Sequence, residues 1–111
     1  GKMVMKIKKD ESIKLLIDRC FKYKNAFFKV LREHGYIVID EDKLNIIEHK
    51  LKNNNVPILN KIEAKMFAEL LNETNKTLLE TDIEYKKEEY DFFKASDSFL
   101  KTYKKWEMSK K

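Results

Sequence analysis

From Val56 to Lys111 the chain reads VPILNKIEAKMFAELLNETNKTLLETDIEYKKEEYDFFKASDSFLKTYKKWEMSKK, and its one helix breaker, Pro57, stands at the very start. Glycine and proline oppose helix formation most strongly, so so long a stretch without them inside it predicts helix nearly throughout. Pro57 itself suits the first turn of a helix, where no amide donor is needed. Leu59, Ile62, Met66, Phe67, Leu70 and Leu71 then form an apolar stripe at helical spacing. Asn72 to Thr77 is polar, and a helix is expected to fray, kink or stop there. Leu71, Leu78, Tyr85, Phe92, Phe99 and Trp106 recur every seven residues. The companion row, Asn75, Asp82, Glu89, Ser96 and Tyr103, is mainly polar. A long coiled coil needs both rows apolar, so packing against helices of the same fold is the expected arrangement.

Working back toward the N-terminus, Asp10 is a good N-cap, with Glu11 placed at the positive end of the helix dipole. Ile13, Leu16, Cys20, Tyr23, Phe27 and Val30 follow helical spacing, and Ile17, Phe21, Phe28 and Leu31 widen the face. His34 and Gly35 supply a cation in the last turn and a left-handed stop. Tyr36 to Ile39 is apolar and mostly β-branched, hence extended; pairing with Met3–Ile7 would give a minor two-strand element. Asp40 or Asp42 caps a shorter helix that buries Leu44, Ile47 and Leu51, and Asn53-Asn54-Asn55 ends it. The expected fold is all-α: a bundle of three to four helices, with a long C-terminal helix folded against the first. Residues 10–111 form its single domain and residues 1–9 a basic lead-in. Gly1 reads as a cloning remnant, with Met3 or Met5 nearer a natural start.

Composition narrows the function classes. Charged residues make up 39% of the 111 residues, far above the usual quarter, and apolar residues 42%. One modest core with solvated outer faces follows. The single cysteine, Cys20, forbids an internal disulfide and, with no apolar leader, points to a reducing, cytoplasmic setting. The longest apolar run, Tyr36 to Ile39, is too short to span a bilayer, and peripheral membrane attachment through the Phe99–Trp106 helix ranks third among the readings. The net charge of +5 is gathered at the ends: Lys2, Lys6, Lys8 and Lys9 at one, Lys101, Lys104, Lys105, Lys110 and Lys111 against Glu107 at the other. The body between them is mildly acidic.

Residue types that carry catalysis are sparse and badly spaced for it. His34 and His49 stand on different expected helices with no metal-ligand spacing, so neither a metal nor a cofactor is expected. Cys20 falls on a buried face, where a thiol is a small core residue. Glu80, Glu84 and Glu88, with Asp91, form an acidic ridge, yet no Glu-x-x-His pair completes a di-metal site. Two isolated glycines exclude a phosphate-cradling loop. No enzymatic activity is expected. A helix-turn-helix built on Leu44–Leu51 and Leu59–Leu71 would present a mixed face, lacking the arginines that read base edges.

Binding surfaces remain. Phe99, Leu100, Tyr103 and Trp106 share one helix face and are the candidate partner-binding residues, either for another protein or for a second copy of the chain. The competing reading puts that stripe in the chain's own core. The expected function is a non-catalytic helical interaction module, an adaptor, inhibitor or assembly factor. The alternative is a nucleic-acid binder that contacts phosphates through Lys101, Lys104, Lys105, Lys110 and Lys111.

Overall fold

The computed structural model describes residues 4–22, 29, 31–33, 35, 40–80 and 86–109, with side chains at all of these except 77–80 and 86–93. The elements run β1 (Val4–Lys6), α1 (Glu11–Lys22), α2 (Glu41–Asn53), β2 (Ile58–Asn60), α3 (Lys61–Glu80) and α4 (Lys86–Met108). Helical residues also occur at Lys29 and Leu31–Glu33. The fold is mostly helical with a small antiparallel sheet, as the sequence predicts.

Local chemistry accounts for the helix starts. Asp10 accepts the Ile13 amide at 2.9 Å, and Asp40 accepts that of Lys43 at 3.0 Å. Each therefore satisfies an amide that the first helical turn leaves without an intrahelical partner. From these caps α1 buries Ile13, Leu16, Ile17, Cys20 and Phe21, while α2 buries Leu44, Ile47 and Leu51. Gly35 takes a φ of +88° and donates to Arg32 O, the left-handed stop its sequence position suggests. His34 and the Tyr36–Ile39 segment lie outside the described residues.

The sheet differs from expectation in its partner. β1 pairs antiparallel with β2, in the register Val4↔Asn60, Met5↔Leu59 and Lys6↔Ile58. Ile7 extends the ladder by donating to Pro57 O at 2.9 Å. Pro57 thus precedes a strand and does not begin a helix. Its missing amide costs nothing at a ladder end, and its ring is buried. The helix starts four residues later, because Asn60 and Glu63 build a reciprocal cap. Glu63 N donates to Asn60 Oδ1 at 2.8 Å, and Asn60 N donates to Glu63 Oε1 at 2.9 Å. Residues 4–7, which charge alone groups with a lead-in, belong to the fold: Met5 and Ile7 are core side chains.

The C-terminal half is described as α3 and α4, and residues 81–85 between them lie outside the described residues. α3 runs straight through Asn72–Thr77, where Thr74 is buried and returns its hydroxyl to Leu70 O at 2.8 Å. That back-bond satisfies a hydroxyl that would otherwise oppose burial. α4 packs chiefly against α1 and also against α3. Ala95 and Ser96, both buried and small, allow its backbone a close approach. The core centres on three rings. Phe67 stacks on Phe21 with centroids 6.2 Å apart and meets Phe99 edge-on at 5.1 Å. Edge-to-face contacts of this kind add to the gain from burial itself.

Candidate functional site

The aromatic face of α4 is turned largely inward. Phe99 is 1% exposed within the core, and Leu100, Tyr103 and Trp106 pack against that core while half-buried. Trp106 Nε1 donates to Val4 O at 2.9 Å, so the indole holds β1. Tyr103 lies 5.9 Å from Trp106 between ring centroids. Its phenol is pushed up to about 12, first by burial, then by its hydrogen bond to Glu107 and by the charges of Glu107 and Glu69. The geometry makes this stripe the lid of the protein's own core, with only its rim open to solvent.

The lysine set is partly engaged. Lys101 pairs with Asp97 at 2.9 Å one helical turn away. Lys104 and Lys105 are exposed, and Lys110 and Lys111 lie outside the described residues. Cys20 is buried, and exposed His49 bonds Asn53 at 2.9 Å between Nδ1 and Nδ2. Among the described residues no His, Cys, Asp and Glu side chains gather as a metal site, and no helix is long and apolar enough to cross a membrane. The side chains of Glu80, Glu84, Glu88 and Asp91 lie outside the described set.

A different region combines exposed apolar surface with concavity. Four of the five large hydrophobic side chains exposed among the described residues fall between residues 46 and 62: Ile46, Val56, Ile58 and Ile62. Ile62 was expected within the buried stripe of α3, but the helix begins at Lys61, which turns Ile62 outward to 63% exposure. Ile46, Lys50 and Asn53 share one flank of α2 by helical spacing. From that flank Lys50 Nζ reaches both carboxylate oxygens of Glu63, at 2.8 and 2.9 Å. Glu63 is only 5% exposed. Its carboxylate therefore ties α2, β2 and the first turn of α3 together.

Beside this bridge, the connection from α2 to β2 forms an open cleft of about 590 Å³. Lys50, Asn53, Asn54, Asn55, Val56 and Ile58 line it. Lys9 stands at its rim, donating to the carbonyls of Lys52 and Asn54 at the end of α2. The site thus offers a short apolar strip, amide side chains able to donate and accept, and cations. Sequence reasoning treated the three asparagines as a helix stop and overlooked the surface around them. The usable signal was Asn60-x-x-Glu63, a capping pattern that starts the helix after Ile58 and so leaves Val56 and Ile58 on a strand approach. No protein-family model, curated protein or solved structure matches the chain.

Proposed function

We propose that the chain is a non-catalytic protein-interaction module of the cytoplasm, an adaptor, inhibitor or assembly factor. Its docking surface is the cleft between α2 and β2 with its apolar surround. One observation carries this reading: four of the five large apolar side chains exposed among the described residues fall between residues 46 and 62, and two of them, Val56 and Ile58, line the cleft beside the Lys50–Glu63 bridge. Isolated exposed hydrophobics need no explanation, but a cluster around a concave surface is the usual mark of a binding site. The Phe99–Trp106 face, spent largely on the chain's own core, contributes only the rims of Leu100, Tyr103 and Trp106.

The test compares the wild-type chain with a Val56→Ser, Ile58→Ser, Ile62→Ser variant as bait in an extract of the source cells. These positions are exposed, so the variant should melt as the wild type does. The reading requires a protein held by the wild type and lost by the variant. Identical sets of bound proteins would refute it. Retention of nucleic acid that vanishes at high salt, untouched by the triple substitution, would transfer the function to the lysine-rich ends.

A further inference from the structure

We infer that the occupant of this cleft is an extended acidic segment of a partner protein, which adds a strand to the edge of β2 that no other described strand covers. The inference rests on the interaction-module reading and names the partner's chemistry. The ladder itself supplies the first argument. In an antiparallel pair, facing residues alternate between pairs that exchange main-chain hydrogen bonds and pairs that do not. Ile7 donates to Pro57 O, so the bonded pairs continue at Met5 and Leu59. Val4, Lys6, Ile58 and Asn60 must then direct their amides and carbonyls away from the partner strand.

Two hydrogen bonds agree with that assignment. The Val4 carbonyl accepts the Trp106 indole, which covers the outer edge of β1. The Asn60 amide is claimed by Glu63 on the outer edge of β2. What β2 still presents outward is the N–H and C=O of Ile58, and Ile58 lines the cleft. An exposed strand edge of this kind is a template for an added strand. Asn54 and Asn55 place further donors and acceptors along the same path, suited to the peptide groups of an extended chain.

Charge selects the occupant. Lys6 faces Ile58 across the sheet and shares its solvent side, because paired residues point to the same face. Lys9 flanks the cleft, no acidic side chain lines it, and Lys50, which does line it, is paired with Glu63. The nearby carboxylate, Glu63, is buried and already neutralised by Lys50. A second copy of the chain would bring the same lysines to the same place, and like charges across an interface are costly. An acidic strand with apolar residues at alternate positions satisfies the edge, the Val56–Ile58 strip and the cations together.

The experiment selects binders from a displayed library of random decapeptides on the wild-type chain. A synthetic peptide of the enriched sequence is then titrated against wild type, Ile58→Ser, Ile58→Asp and Lys6→Glu. The expected result is enrichment of peptides alternating acidic and apolar residues. Affinity should fall about tenfold or more in Ile58→Asp and by a smaller factor in Ile58→Ser and Lys6→Glu, with unchanged melting curves. Amide shifts on binding should centre on residues 53–60 and 4–7. No enrichment, basic or charge-indifferent peptides, or affinity unmoved at Ile58 would overturn the inference. So would a wild-type dimer that Ile58→Asp dissociates, since the occupant is then a second copy. If the extract experiment finds a partner while the library finds no acidic strand, the module reading survives and this one falls; if both fail, both are lost.

Discussion

The indole Nε1 of Trp106 donates to the backbone carbonyl of Val4 over 2.9 Å, joining residues 102 positions apart. The contact fastens the last turns of α4 to the first strand and closes the edge of β1 that would otherwise lie open. Trp106→Phe keeps most of the ring packing and loses the donor. It should cost about 1 kcal/mol, read as a lower midpoint in urea unfolding, because a half-buried carbonyl is left to water.

Glu63 serves two partners at once, the Asn60 amide and the Lys50 ammonium. Glu63→Gln retains an acceptor for the amide and loses the ion pair. Lys50, about a third exposed, can then turn to solvent, so a loss of about 1 kcal/mol is expected. Glu63→Ala removes the cap as well and should cost about 2 kcal/mol, within the range for capping residues and partly buried pairs. Added salt should weaken the wild type more than the glutamine variant.

Phe99→Ala opens a cavity against Phe67 and should cost about 3–5 kcal/mol, a large share of the stability of a small domain. Lys101→Glu, a few residues along the same helix, replaces one member of an exposed pair and should shift stability by less than about 1 kcal/mol. Chemical denaturation of the two variants separates the inward face of α4 from its solvated one.

Tyr103 gives a pH signature. Its phenol titrates near 12 in the folded chain, against about 10 when unfolded. Between those values the folded state keeps a proton that the unfolded state has released. The stabilisation is therefore complete below pH 10 and is lost as the pH rises through 12. Ultraviolet titration of the phenolate should show a late component that Tyr103→Phe removes. Glu107→Gln should lower its midpoint without restoring 10, because burial, the largest cause, remains.

Much of the fold was legible because it depends on local chemistry. Asp40, followed by Leu44, Ile47, Leu51 and three asparagines, specifies α2 almost completely. The sheet was not legible in the same way. Met3–Ile7 reads as a strand, but hydrophobic alternation says nothing about which distant segment it pairs with. Pro57 misled because the same fixed φ suits a helix start and an extended lead-in. Asn60-x-x-Glu63 resolves the ambiguity, since only one of those readings gives both residues partners. The polar Asn72–Thr77 run looked like a break because a single sequence does not show that Thr74 would find Leu70 O. The heptad row reported real burial at Leu71 and Phe99 but could not distinguish a core lid from a docking face. The cleft escaped notice because it is made by the curvature of a connection, and no residue type there announces it.

The order of pairing along the chain has one more consequence. β1 finds its partner at Ile58–Asn60, and α1 finds its main cover at Lys86–Met108, so each early element is completed by a late one. A division in the exposed connection at Asn54 and Asn55 leaves two pieces, one holding a strand and a helix face that only the other can complete. Neither piece should fold alone, and mixing them should restore the native melt. The molecule behaves as two complementary halves that happen to be joined by a peptide bond.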